Sequence, residues 1–251
     1  MIDIIMHGCN GKMGRVISDI VAKDESVQIV AGVDPYTGVQ QDYPVFSKIE
    51  ECDVRADVII DFAAAAAVDD LLGYCVSMQV PCVLCTTGLS EEQLAKVADA
   101  ATKVAILKSA NMSLGINMLL KLLKEATNVL ADAGYDIEIV EKHHKLKVDA
   151  PSGTALALAD SINEELDMSY AYNYDRSTVR EPRAKKEIGI SAIRGGTIVG
   201  EHDVIFAGED EVITFSHTAY SKAVFAKGAV QAAKYLAGRS AGMYNMSNVI
   251  G

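Results

Sequence analysis

The run EKHHKLKVDAPSGTALALAD, Glu141 to Asp160, sets two histidines and three lysines around a Pro-Ser-Gly-Thr turn. Asp149 or Ser152 can cap a helix whose first turn contains Pro151. Backbone N–H groups around Ser152, Gly153 and Thr154 would then point outward as an anion site, with Gly153 letting a ligand approach. If the preceding strand continues, His143, Lys145 and Lys147 share a face while His144 points the other way; if the backbone turns, His144 joins them. Either geometry suits a small dicarboxylate, and histidine can also donate a proton near neutral pH. The plainer alternative is a solvated basic strand end before an ordinary capped helix, which leaves the paired histidines beside an anion cap unexplained.

A second constellation lies in IIMHGCNGKMGRVI, where Gly8, Gly11 and Gly14 follow an apolar strand and open a helix. Glycines there permit a tight turn and close approach to a pyrophosphate held by the helix N-terminus. The spacing is G-x-x-G-x-x-G rather than the commoner G-x-G-x-x-G. Asp34, twenty residues beyond Gly14, ends the second strand, where a carboxylate can accept hydrogen bonds from an adenosine ribose. Pro35 and Tyr36 follow it, with no arginine to receive a 2′-phosphate, and the carboxylate would repel that phosphate. The pattern therefore argues for NADH over NADPH, with Lys12 as partial compensation.

These groups need a scaffold. IDIIM, VQIVAGVD, ADVIIDF, VPCVLC and VAILKS read as strands, separated by helical patterns at roughly Lys12 to Lys23, Ala66 to Met78 and Ser90 to Thr102. Continuous apolar strands between amphipathic helices predict a parallel sheet covered on both faces. NMLLKLLKEATNVLADAG then predicts a helix ended by Gly134. YDIEIVEKHH alternates as a strand, and PSGTALALADSINEEL is a helix. EIGISAIRGGTIVGEHDVIFAGEDEVITFSHTA reads as three antiparallel strands. A last helix, SKAVFAKGAVQAAKYLAG, carries a small-residue face to pack back onto the first sheet. The expectation is an α/β fold: a Rossmann-like parallel-sheet domain from residues 1–114 and 220–251. An α+β domain with a mixed or antiparallel sheet is inserted over 115–219, with hinges near Ser113 to Asn117 and Thr218 to Lys222. The Tyr-rich segment DMSYAYNYDRSTVREPRAKK is expected to be a surface loop.

With 251 residues, 50% of them hydrophobic, the chain can bury a substantial core. Its net charge of -11 disfavours nucleic acid and anionic membrane surfaces as partners. Apolar runs such as DVIIDFAAAAAV are broken by Asp61 and Asp69, and MIDIIMHG enters a strand pattern without a basic segment, so a soluble cytoplasmic protein is expected. The five cysteines are an odd number confined to the first third of the chain, unlike a secreted disulfide framework. Cys82 and Cys85 spell C-x-x-C, but on a strand residues three apart face opposite ways, so structural thiols and no metal are expected.

The run E-x-H-H-x-x-K-x-D-A-P-S-G-T-A, starting at Glu141, resembles the signature of the 4-hydroxy-tetrahydrodipicolinate (dihydrodipicolinate) reductase family of the diaminopimelate route to lysine. The resemblance extends through GCNGKMG, IDF, CTTG, SANMSLGIN and GGTIVGEH. It implies His143 as proton donor and Lys147 as the catalytic, substrate-orienting lysine. Substrate contacts are implied for His144, Ser152, Gly153 and Thr154. For the cofactor it implies Gly8, Cys9, Asn10, Gly11, Lys12, Met13 and Asp34, then Cys85, Thr86, Thr87, Ser109, Ala110, Asn111 and Met112. It further implies use of NADH or NADPH, a small dicarboxylate substrate, and a homotetramer joined through the inserted sheet. Three residues depart from the family's common pattern: Cys85 for glycine in G-T-T-G, Met112 for an aromatic residue, and Ala63 for threonine after D-F. A related dehydrogenase fails to account for the basic cluster, and a non-catalytic NAD(H)-sensing module would leave His143, His144 and Lys147 without a role.

Overall fold

The computed structural model describes residues 1–251. The chain forms two compact units, one from Met1–Leu114 with Ala223–Gly251 and the other from Gly115–Lys222. The first unit begins with β1 (Ile2–His7), α1 (Lys12–Val21), β2 (Val27–Val33), β3 (Val45–Phe46), β4 (Val58–Asp61) and α2 (Val68–Met78). It continues with β5 (Cys82–Leu84), α3 (Glu91–Ala101) and β6 (Ala105–Lys108). The second unit holds α4 (Leu114–Leu130), β7 (Asp136–His143), α5 (Gly153–Glu164), β8 (Ala171–Asn173), β9 (Glu187–Arg194), β10 (Gly200–Ala207) and β11 (Val212–Ala219). The chain then returns to the first unit with α6 (Ala223–Leu236), β12 (Gly242–Tyr244) and α7 (Met246–Ile250).

The first sheet is wholly parallel, in the order β12-β6-β5-β4-β1-β2-β3. Its strands are mostly apolar because both faces are covered. Ile4, Met6, Val58, Ile60, Val83 and Leu107 pack toward α6, whereas Ile5, Ile59, Leu84 and Ile106 pack toward α2 and α3. The C-x-x-C pair divides the same way: Cys82 joins the α2–α3 layer and Cys85 borders the α6 layer. Strand order reverses between β1 and β4, so the loops after β1, β4, β5 and β6 gather at the carboxyl edge, where open α/β sheets bind ligands. The two- and three-residue strands β3 and β12 were not expected, being too short to show a period.

The second sheet is mixed, in the order β11-β10-β7-β9-β8. The expectation of three antiparallel strands over 187–219 is corrected: β9 pairs parallel with β7, and only β10 and β11 form an antiparallel pair among those three. One face packs Ile137, Ile139, Ile188, Ile190, Val204 and Phe206 against Leu119 and Leu123 of α4 and Leu158 and Ile162 of α5. Part of the expected Tyr-rich loop forms the edge strand β8. α4 ends at Leu130, ahead of the expected Gly134, which lies in the following turn with φ +86°.

Candidate functional site

In the first unit the glycine loop is held by backbone contacts. Gly8 has φ +82°, its N–H donates to Val33 O at 2.8 Å, and a Cβ there would stand 2.8 Å from Phe62 O. Gly11 is the N-cap of α1 without a side-chain cap, and no acidic residue occupies the first turn, which leaves the positive end of the helix uncompensated. A Cβ on Gly14 would lie 2.3 Å from Gly8 O, so glycine is what allows α1 to pack under the loop. Asp34 Oδ2 accepts from Asn10 N at 3.0 Å and Oδ1 from Tyr36 N at 3.0 Å, which ties the second strand's end to the loop. Asn10 Nδ2 donates to Tyr36 O at 2.6 Å, and Gln41 donates to Asn10 Oδ1 at 2.8 Å. An arginine does border this loop, brought by α1 rather than by the chain after Asp34: Arg15 Nε donates to Asn10 O at 3.1 Å.

The expected cofactor residues divide by where their side chains go. Lys12 and Thr87 are exposed and Met13 is half-buried, whereas Cys9 is fully buried, its thiol pushed up to about 11 chiefly by burial. Met112 packs into the core of the first unit, and Asn111 Oδ1 accepts from Ser113 N at 2.8 Å; Ser109 is half-buried and Ala110 exposed in the same loop. Burial raises the Cys85 thiol as well. Thr86 is drawn inward, its hydroxyl donating to Asp61 Oδ2 at 2.6 Å and Ala63 O at 3.0 Å. Asp61, with no exposed surface, also meets His7 Nδ1 at 2.8 Å and accepts from Ala63 N at 3.1 Å. This buried network, absent from the sequence reading, fastens the loops after β1, β4 and β5 to one another.

In the second unit the apolar rows of three strands change to polar residues at the same end. Ile137 and Ile139 are followed on their face by Glu141 and His143, while His202 precedes Val204 and Phe206, and His217 follows Phe215. Register sets His217 against His202, His202 against Glu141, and His143 against Arg194. The strand stops at His143, and the backbone turns, with Lys147 N donating to His144 O at 3.0 Å. The continued-strand alternative is thereby removed. Lys147 Nζ pairs with Asp149 at 2.9 Å, and the His144 ring is half-buried with Nδ1 unpartnered.

Ser152 is the N-cap of α5, its hydroxyl accepting from Ala155 N at 3.2 Å, and Pro151 lies just before the helix rather than in its first turn. The Ser152 N–H donates to Glu141 Oε1 at 2.9 Å. Ser152 Oγ meets His202 Nε2 at 3.1 Å. The expected outward-facing Ser152 N–H is therefore turned inward, while Gly153 is exposed and Thr154 half-buried at the helix start. Glu141 also receives Arg194 at 2.7 and 2.8 Å and His143 Nδ1 at 2.6 Å. Burial alone would raise the Glu141 carboxyl; the bonds from Arg194, His143 and Ser152 hold it below its ordinary value.

His202 is pushed down to about 4, first by burial and then by the neighbouring His143, with Glu141 opposing. The folded protein keeps this ring neutral while the unfolded chain protonates it below about 6.5, so the unfolded state binds more protons between about pH 4 and 6.5. Stability should therefore be fully present above that window and fall through it on acidification, by up to ~1.4 kcal/mol per pH unit from this group. Urea unfolding of His202→Gln at several pH values should show a flatter slope; a slope equal to that of the wild type would remove His202 from the acid instability.

The chain matches the family model described as dihydrodipicolinate reductase, N-terminus, over residues 2–112, and that described as dihydrodipicolinate reductase, C-terminus, over 115–250. It is 52% identical to the 4-hydroxy-tetrahydrodipicolinate reductase of Caldanaerobacter subterraneus subsp. tengcongensis, covering 100% of this chain and 98% of that one. The enzyme of the same name from Clostridium novyi is 49% identical, with the same coverage. Among solved structures, a dipicolinate-bound dihydrodipicolinate reductase from Paenisporosarcina sp. TG-14 matches with TM-score 0.83 and 25% identity over 99% of each chain. An amine dehydrogenase from Mycobacterium smegmatis, 10% identical with TM-score 0.62 over 98% of this chain and 95% of its own, shares the fold. The glycine loop with Asp34, the Glu141–His143 pair beside the α5 cap, and similarity running the length of the chain lead to one assignment: the protein belongs to the dihydrodipicolinate reductase family.

Proposed function

We infer that this chain is a 4-hydroxy-tetrahydrodipicolinate reductase of lysine biosynthesis, reducing a cyclic imine dicarboxylate with NAD(P)H. The observation carrying this reading is a histidine, oriented by a buried carboxylate, beside a capped helix start and a lysine, in a chain about half identical to such reductases from end to end. A dinucleotide held at the glycine loop and Asp34 would supply the hydride, received at C4 of the conjugated ring that forms when the substrate loses water. His143 gives the completing proton from Nε2, since Nδ1 is engaged by Glu141. Lys147 and the start of α5 at Gly153 and Thr154 hold the substrate carboxylates and stabilise developing negative charge, with His144 flanking them. Substrate must displace Asp149 from Lys147, and because Asp149 is solvent-exposed the exchange costs little. Lys147→Ala should raise KM about tenfold or more and lower kcat as well, because it removes both a charge contact and an orienting group. Steady-state kinetics equal to those of the wild type would sink the role.

The residues of the first unit suit a dinucleotide: glycines where a Cβ would strike backbone, an uncapped helix start, and Asp34 at the end of β2. NADH is the preferred cofactor in this reading, because Asp34 would meet a 2′-phosphate with like charge; Arg15 and Lys12 are the cations that would let NADPH serve too. No metal takes part. The protein acts in the cytoplasm, and no helix is long and apolar enough to cross a membrane. It assembles as a homotetramer through the second sheet, whose face opposite α4 and α5 carries the exposed Ile193 and Val212 and half-buried Val140 and Ile205. A monomeric mass by sedimentation would contradict that assembly. The reaction is tested by generating substrate from pyruvate and aspartate semialdehyde with its synthase and following NADH and NADPH absorbance in parallel. Synthase-dependent loss is expected, faster with NADH; no loss with either cofactor in folded, NADH-binding protein would favour the sensor reading.

A further inference from the structure

Glu141 is fully buried and accepts four hydrogen bonds, two from Arg194 at 2.7 and 2.8 Å, one from Ser152 N at 2.9 Å and one from His143 Nδ1 at 2.6 Å. An ionised carboxylate offers about four acceptor positions and no proton, so Nδ1 must be the donor in its bond with His143. The other ring nitrogen, Nε2, is thereby the only one that can pass a proton outward. A Cβ at position 200 would come within 3.1 Å of Nε2, and Gly200 keeps that side of the ring clear. Arg194 extends the same arrangement: its Nη2 donates to Asp149 O at 2.6 Å, in the loop that carries Lys147.

Stability alone is a poor reason for such a cluster. Burying an ion pair costs desolvation that an apolar replacement of similar volume avoids, so packing here would be served as well by hydrocarbon. What a carboxylate provides and hydrocarbon does not is negative charge against the ring together with an acceptor for the N–H of the α5 N-cap. We propose that Glu141 is the positioning residue of the reduction. It fixes which nitrogen of His143 faces outward, supports the positive charge the ring carries before giving up its proton, and holds the α5 start in register with it. Arg194 supplies the counter-charge that keeps Glu141 ionised and secures the Lys147 loop to the same point.

This inference rests on the reductase reading, and the experiment separates the two. Wild type, Glu141→Gln and Arg194→Lys are compared in the synthase-coupled assay across pH, together with thermal melts and NADH binding. Glu141→Gln preserves shape and removes charge. It should bind NADH as the wild type does while kcat falls at least about tenfold, and the alkaline limb of its kcat profile should move to lower pH by about one unit or more. Arg194→Lys, which keeps the charge but loses the bidentate fit, should retain the wild-type pH limb at reduced kcat. A Glu141→Gln profile that superimposes on that of the wild type, with only a lower melting temperature, overturns the inference and leaves the reaction standing. Absence of synthase-dependent turnover in the wild type overturns both. Should Glu141→Gln fail to fold, ¹⁵N imidazole spectra of the wild type decide, with the His143 signal assigned by its loss in His143→Gln. At alkaline pH, where the ring has lost its charge, protonation at Nδ1 is expected, and protonation at Nε2 instead refutes the proposal.

Discussion

His143→Gln lowers kcat by on the order of 10²- to 10⁴-fold, the range a positioned general acid contributes, while NADH binding stays at its wild-type level. The expectation follows from geometry. His143 closes β7 on the helix-covered face, its Nδ1 is 2.6 Å from Glu141, and its other nitrogen points where no partner side chain holds it in a hydrogen bond. Glutamine can reproduce the bond to Glu141 through its amide but has no proton to give at neutral pH. The loss should therefore fall on kcat, with KM changing little, because the groups proposed to hold the substrate carboxylates, Lys147 and the α5 start, are untouched. Stopped-flow or steady-state measurement of NADH oxidation reads this directly. Turnover within a factor of about three of wild type would exclude His143 as the proton donor.

Gly14→Ala weakens NADH binding about tenfold or more and also lowers stability. The added methyl would stand 2.3 Å from Gly8 O and 2.6 Å from Cys9 O, both backbone atoms that cannot swing aside. Relief on the other side is blocked as well, since Gly8 is pressed against Phe62 O so closely that a Cβ there would lie 2.8 Å away. Overpacking of this kind costs about 1–3 kcal/mol. If the loop shifts to accommodate it, the N–H groups of the α1 start leave their places, and each 1.4 kcal/mol of lost interaction is about a tenfold change in Kd. Fluorescence titration with NADH and a thermal melt check the two effects together. Affinity equal to that of the wild type would remove this loop from the cofactor site.

Much of this was legible without coordinates wherever the signal was local. Strand and helix positions in the first unit follow from apolar runs bounded by caps and glycines, and of the two expected caps of α5, Asp149 and Ser152, it is Ser152 that stands as the N-cap. The wrong expectations share a cause. Whether β9 pairs with β10 or with β7 depends on a partner some fifty residues away, and a glycine turn between two strands does not reveal that β7 lies between them. Ser152 reads as part of an anion cradle, but its N–H is claimed by Glu141, eleven residues upstream.

By itself the sequence determined the chemical inventory: a glycine loop with an acidic strand end, a pair of histidines and a lysine before a capped helix, and a doubly covered parallel sheet. Those features are set by spacing within a single strand, turn or helix, so the chain's local periodicity suffices to show them. Only the tertiary structure decided that Glu141 is the hub joining His143, Arg194 and Ser152, that His202 sits neutral beside them, and that Arg15 borders the Asp34 loop. Each of these depends on strand register or on the angle at which a helix meets a loop. Both are fixed by packing of distant apolar residues, which no short stretch of sequence encodes.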